Sequence, residues 1–189
     1  MLGLLNRREL LSLKAWFARP NRKPLVIRGA RQVGKSTLVR QLAGEVGLEL
    51  LEVNFERNPE YGEAVASNDP ARIQTVLGLL TGKKIVPGET LLFLDEIQAA
   101  PAALAALRYL YEEVPELHVL AAGSLLEFAL EDARFSMPVG RVEYLHLGPM
   151  QFEDFIDAMG HGDLMQYLQQ LPLEVIRAQR FPQPVHEDR

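Results

Sequence analysis

Cysteine is absent from the 189 residues. Disulfides, thiolate metal sites and cysteine nucleophiles are thereby excluded. Histidine is scarce. His118, His146, His161 and His186 stand apart, without the spacing of a metal-ligand set, and they read as structural or surface residues. Long apolar runs are missing too. No segment approaches the ~18 apolar residues that a membrane span requires. The opening, MLGLLNRREL, reaches two arginines after five residues, too early for a secretory apolar core. The expectation is a cytoplasmic protein with no membrane partner. Internal repeats and low-complexity tracts are also lacking.

What is present is ordinary for a folded domain. Hydrophobic residues make up 48% of the chain and charged residues 24%, enough for one sizeable core and too apolar for global disorder. The net charge of -5 hides an asymmetry. Residues 1–40 hold ten Lys and Arg against a single acid, Glu9, and the rest holds ten bases against 24 acids. One reading is a positive face that serves phosphates: a nucleotide, a nucleic acid, or an acidic protein partner. The other is that the basic segment lies over the acidic body and neutralises it.

Strand-like and helix-like segments alternate, the pattern of an α/β fold with a mainly parallel sheet. Asn6 and Glu9 form a capping-box-like start to a helix whose apolar face is Leu10, Leu13, Trp16 and Phe17. Pro20 and Pro24 end it. Residues 25–27 form a short strand, 29–34 a loop and 35–46 a helix. Residues 48–55 read as a second strand. Asn58 before Pro59 and Asp69 before Pro70 each mark a helix start. The helix after Pro70 sets Ile73, Val76, Leu77 and Leu80 on one side. Residues 91–94 are apolar throughout, as in a strand buried on both faces. Pro101 opens a helix with Leu104, Leu107, Leu110, Tyr111 and Val114 inward, and Pro115 closes it. Strands at 118–122 and 142–147 flank a short helix at 125–130. Two helices, 150–159 and 163–171, precede a proline-bearing tail. The fold expected is a three-layer αβα sandwich on a five-stranded parallel sheet.

The strongest motif is Gly29, Ala30, Arg31, Gln32, Val33, Gly34, Lys35 and Ser36, followed by Thr37. It fits the phosphate-loop pattern G-x-x-x-x-G-K-[ST] at every fixed position, between an apolar strand and a helix. Glycines let the backbone turn tightly with its N–H groups aimed inward at phosphate oxygens. The helix that starts there adds the positive end of its dipole. Lys35 would bridge the β- and γ-phosphates, Ser36 would give a hydroxyl to Mg2+, and Thr37 would reach the α-phosphate.

Asp95 and Glu96 end the apolar strand. Burying a carboxylate is costly, and a phosphate loop nearby supplies a reason: Asp95 holds the Mg2+ shell. Glu96 is then placed to accept a proton from an attacking water. The plainer reading of the pair is a cap for the next helix. Ser124 with Glu127 also fits a helix capping box. No N-K-x-D motif for reading guanine is present.

A strand–helix unit, residues 48–80, separates the phosphate-loop strand from the Asp95 strand. Here the chain resembles the additional-strand class of P-loop ATPases, which carry a catalytic glutamate. The segments GARQVGKSTL, EVNFERNPE, LLFLDEIQ, AAGS and GRVEYLHLGPMQFEDF together resemble the AAA+ superfamily ATPases of bacteria and archaea whose ATPase core precedes a C-terminal domain of unknown function. The resemblance covers roughly residues 6–160. It implies the strand order 5-1-4-3-2, Mg·ATP binding and ATP hydrolysis. It also implies that Ser124 senses the γ-phosphate. Arg141 becomes a candidate arginine finger acting on a neighbouring subunit, with Arg134 a weaker candidate. Homo-oligomerisation follows from such a finger. The family's core continues into a helical lid, and residues 161–189 are accordingly expected to be the start of a truncated C-terminal region. The function expected is Mg-dependent ATP hydrolysis. Its rivals are a nucleotide-controlled binding switch with little turnover and, without any acceptor-site motif in support, a small-molecule kinase.

Overall fold

The computed structural model describes residues 7–124, 138 and 140–170. The chain forms two compact units, one of residues 7–150 and one that includes residues 151–170. The first unit holds a single sheet of five strands, all parallel: β1 (Leu25–Arg28), β2 (Glu49–Asn54), β3 (Thr90–Asp95), β4 (His118–Gly123) and β5 (Glu143–His146). Their order is β2-β3-β4-β1-β5, which read from the other edge is the expected 5-1-4-3-2.

Alternation along each strand splits the core into two layers. Leu25 and Ile27 of β1, Leu91 and Phe93 of β3, and Leu120 and Ala122 of β4 pack beneath α1 (Arg8–Phe17) and α2 (Lys35–Val46). Val26, Leu92, Leu94, Val119 and Ala121 face the other way. They pack against α3 (Tyr61–Val65), α4 (Pro70–Thr81) and α5 (Pro101–Glu113). Every residue of β3 is buried, so this strand carries apolar side chains on both faces. Phe93 is fully buried, and truncating such a side chain to alanine costs about 3–5 kcal/mol.

The α4 start is the one foreseen. Asp69 caps it, accepting from the Ala71 and Arg72 N–H groups at 2.9 and 3.2 Å, with Pro70 in the first turn. Other expectations need correction. Arg7, not Asn6, is the N-cap of α1, and it makes no side-chain cap bond; Trp16 instead ties this helix down by donating to the Lys23 carbonyl at 2.8 Å. Asn58 and Pro59 lie in a turn, and α3 begins at Tyr61. Leu80 is 45% exposed and does not share the inward face of Ile73 and Leu77. A 3₁₀ turn, Ile97–Ala99, follows β3 where sequence periodicity gave no signal. The expected helix at 125–130 and the candidate finger Arg134 lie outside the described residues.

In the second unit, α6 (Phe152–Ala158) and α7 (Gly162–Gln170) contact each other, and Gly160 between them has φ 79°. Among the described residues no helix is long and apolar enough to cross a membrane.

Candidate functional site

Parallel strands end together, so the β1–α2, β2–α3 and β3–α5 connections open on one end of the sheet. The β1–α2 loop begins at Gly29, whose φ is 147°. A Cβ there would sit 2.1 Å from the carbonyl oxygen of Leu147, just past β5. Only glycine allows that approach. Gln32 (φ 64°) and Gly34 (φ 95°) both take left-handed backbone, and around Gly34 nothing crowds a Cβ position. The chain needs Gly34 for its dihedral, not for space. Left-handed residues of this kind just before a helix start are the backbone pattern from which anion-binding concavities are built.

Lys35 and Asp95 are each only 6% exposed. Lys35 Nζ donates to the carbonyl oxygens of Gly29 (3.0 Å) and Ala30 (2.8 Å), folding back on its own loop. Burial lowers its pKa, while the facing charges of Glu96 and Asp95 hold it up and Arg31 opposes them. Ser36 Oγ donates to Asp95 Oδ2 at 3.1 Å, joining residues 59 positions apart in sequence. Burial raises the Asp95 pKa, and repulsion from Glu96 adds to it. Hydrogen bonds from Ser36, the Glu96 N–H and Asn54 pull the other way. Asp95 is therefore a desolvated carboxylate, stabilised by any cation that arrives beside it.

Glu96 adopts left-handed backbone, φ 51° and ψ 47°. For a residue with a Cβ this conformation costs about 1–3 kcal/mol and persists where the surroundings enforce it. The side chain is held as well: its Oε2 accepts from Gln98 Nε2 at 2.7 Å and from Ser124 Oγ at 3.3 Å. Ser124, just past the end of β4, also accepts from Arg31 Nε at 3.4 Å. Arg31 pairs with Glu56 at 2.7 Å. A polar chain thus runs from Glu56 through Arg31 and Ser124 to Glu96 and Gln98.

Between the loop and the end of β3 lies a cavity of about 340 Å³. Gln32, Gly34, Lys35, Ser36 and Thr37 line it from the loop side. Asp95 and Glu96 line the facing side, with Asn54 and Arg57 beside them. Of the remaining loop residues, Gly29 and Ala30 give their carbonyls to Lys35, Val33 is buried in the core under α2, and Arg31 points to Glu56. A larger hollow, about 690 Å³, runs along α4 past Gln74, Gly78 and Leu79 to Lys83. No acid lines it, whereas Asp95 and Glu96 both line the smaller cavity.

The donor set suits a hard divalent cation with phosphate. A hydroxyl and a desolvated carboxylate adjoin within hydrogen-bond distance. Among the described residues no three His, Asp or Glu side chains gather into a metal cage. Mg2+ typically takes one or two protein oxygens and completes its shell with water and phosphate.

Arg141 is not part of this cluster. It precedes β5, and Glu143 is level with Leu25 at the start of β1. At ~3.3 Å per residue, Arg141 lies roughly 15–20 Å below the loop along the strand direction. Its Nε pairs with Glu112 at 2.6 Å. The Ser124–Glu127 capping box cannot be placed, since Glu127 lies outside the described residues.

Most of the basic N-terminal charge is taken up internally. Lys14 pairs with Glu45, Arg19 with Glu143 (2.6 Å) and Arg40 with Glu52 (2.8 Å). Arg7 donates to the Gly148 carbonyl and Arg22 to that of Glu116, at 2.9 and 3.1 Å. Arg28 stacks over the Tyr144 ring.

Sequence reasoning overlooked Asn54, Gln98 and Arg57. Asn54 is in register with Asp95 across the β2–β3 pair, and its Nδ2 donates to Asp95 Oδ2 at 3.2 Å. Once β2 is placed beside β3, that contact follows from two strands ending level. The clasp by Gln98 depends on the left-handed turn at Glu96, which no local signal announces.

The sequence model of the family described as AAA domain matches residues 21–156. No curated protein matches the chain. Among solved structures, a Walker-type ATPase of Pyrococcus abyssi superposes with a TM-score of 0.55 at 19% identity, over 93% of this chain and 62% of that one. At that identity the likeness shows a shared fold, and the chain spans less than two thirds of that ATPase's length.

Proposed function

This chain belongs to the AAA domain family, and from that premise we propose that it binds ATP together with Mg2+ and hydrolyses the bond between the β- and γ-phosphates. The observation that carries the reading is the 3.1 Å bond from Ser36 to Asp95 beside the buried Lys35. It brings a loop hydroxyl, a strand-end acid and a lysine together at one helix start.

In this proposal the loop amides and Lys35 neutralise charge on the β- and γ-phosphates. Lys35 exchanges the Gly29 and Ala30 carbonyls for phosphate oxygens, which cost less to contact because they carry charge. Ser36 and Asp95 would hold Mg2+, which when bound supplies further charge neutralisation. Water attacks the γ-phosphorus in line, the bridging bond to the β-phosphate breaks with its electron pair leaving on ADP, and Glu96 takes the water's proton. Glu96 Oε2 is already engaged by Gln98 and Ser124. Ser124 therefore sits where a shift caused by the γ-phosphate passes directly to the base, in keeping with a sensor. Arg141, in this scheme, serves the site of a neighbouring copy.

That double engagement of Glu96 also favours a second reading. A base held by two donors is a poor proton acceptor, and a domain left in that state acts as a nucleotide-controlled switch for a protein or DNA partner with little turnover. Steady-state phosphate release by wild type and Glu96→Gln separates the two. Hydrolysis predicts turnover in the wild type and a loss of about 100-fold or more in the variant, with Mg·ATP affinity kept. Equal turnover in both proteins refutes Glu96 as the base. Binding without turnover in either favours the switch.

A further inference from the structure

The cations around the cavity differ in one respect. Arg31 has Glu56 at 2.7 Å, Arg40 has Glu52 at 2.8 Å, and Lys35 has two carbonyls. Arg57 lines the same cavity as Lys35, Ser36, Asp95 and Glu96, yet no ion pair engages its guanidinium among the described residues. Its backbone is nevertheless fixed. The Arg57 N–H donates to Asn54 Oδ1 at 2.9 Å, and the Nδ2 of the same Asn54 donates to Asp95 Oδ2 at 3.2 Å. The Asn58 N–H closes the turn on the Asn54 carbonyl at 3.0 Å. One asparagine thus ties the base of the Arg57 side chain to the carboxylate at the centre of the site.

We infer that Arg57 is a ligand of the terminal phosphate, reaching it from the β2 side, opposite Lys35. The inference rests on the ATP reading above and goes beyond it. It assigns to this chain's own loop a contact that a diphosphate would not make. Arg57 lines the cavity, and a guanidinium with no ion pair among the described residues gives none of those up when it meets an anion. Its planar fork suits two phosphate oxygens at once. The loop amides hold the inner phosphates, and Arg57 adds selectivity for the third. The contact is independent of Arg141, because it comes from the same copy that holds the nucleotide.

The test needs no turnover. Equilibrium affinities for Mg·ADP and for the non-hydrolysable triphosphate AMP-PNP are measured for wild type, Arg57→Ala and Arg57→Lys, with folding checked by thermal denaturation. Loss of a charge-assisted bond to phosphate predicts that Arg57→Ala lowers the preference for triphosphate over diphosphate by at least about tenfold. ADP affinity stays near wild type, and Arg57→Lys recovers part of the preference because its charge remains. An unchanged ratio, or equal losses for both nucleotides, overturns the assignment while leaving ATP binding intact. Failure of wild type to bind either nucleotide overturns the ATP reading itself, and the Arg57 assignment with it.

Discussion

Replacing Gly29 by alanine separates the packing of the phosphate loop from its contact with phosphate. The added Cβ would sit 2.1 Å from the Leu147 carbonyl oxygen, whereas ordinary contact begins at 3.4 Å. Loop and β5 must then part by about 1 Å. The Leu147 N–H donates to the Arg28 carbonyl at 2.8 Å, so that bond is strained or lost at a cost of about 1 kcal/mol. A φ of 147° is unsuited to alanine and adds about 1–3 kcal/mol. Together these amount to about 2–4 kcal/mol. For a chain of this size a kilocalorie moves Tm by about 2–4 °C, so Tm should fall by roughly 5–15 °C. A shift of about 1 Å in the loop should also reduce kcat/KM by about 100-fold, as such misplacements do. Scanning fluorimetry and phosphate release measure both. An unchanged Tm would show that the close approach at Gly29 does not hold the loop to β5, and the geometric argument for that glycine would fail.

Burial, aided by the nearby Arg22 charge, lowers the His118 pKa from 6.5 to about 4, and the ring stacks on Phe17 at 4.6 Å. Between those values the unfolded chain binds a proton that the folded chain refuses. Stability is therefore complete above pH 6.5 and falls as pH drops toward 4, by at most about 3 kcal/mol. Denaturant melts of wild type and His118→Phe across pH 4–7 check this, and parallel pH profiles would contradict it. Arg141→Ala removes an exposed ion pair with Glu112, which solvent screens, so folding stability should stay close to wild type. Specific activity that rises with protein concentration in wild type should go flat in this variant if the finger acts between copies. A concentration-independent wild type would remove Arg141 from the mechanism.

The phosphate loop was legible because its chemistry is local. Glycine dihedrals, the lysine and the hydroxyl all fall within eight consecutive residues, from Gly29 to Ser36. The acid at the end of β3 was legible because a carboxylate closing an apolar run has few structural explanations. The sheet order came through the family resemblance, since neither periodicity nor charge reports which strands are neighbours. Asn54 and Arg57 stayed hidden because their relevance depends on β2 lying beside β3. Gln98 depended on the left-handed turn at Glu96, which β-region or helical propensity would not suggest. The start of α1 was misjudged because a capping box is a weak pattern and the tie from Trp16 to Lys23 fixes that helix from its other end. The charge asymmetry was real, but ion pairs such as Arg19 with Glu143 depend on chain segments more than a hundred residues apart.

The central claim is that Lys35, Ser36 and Asp95 close one site around a triphosphate and a divalent cation. Calorimetric titration of ATP into wild type, Lys35→Ala and Asp95→Asn, with Mg2+ and then with excess EDTA, tests it most directly. Wild type should bind with an affinity that falls by at least tenfold when the metal is removed. Lys35→Ala should lose measurable binding, and Asp95→Asn, which keeps only the Ser36 hydroxyl for the metal, should depend on Mg2+ less than wild type does. Binding in wild type that is indifferent to both the metal and Lys35 would contradict the account.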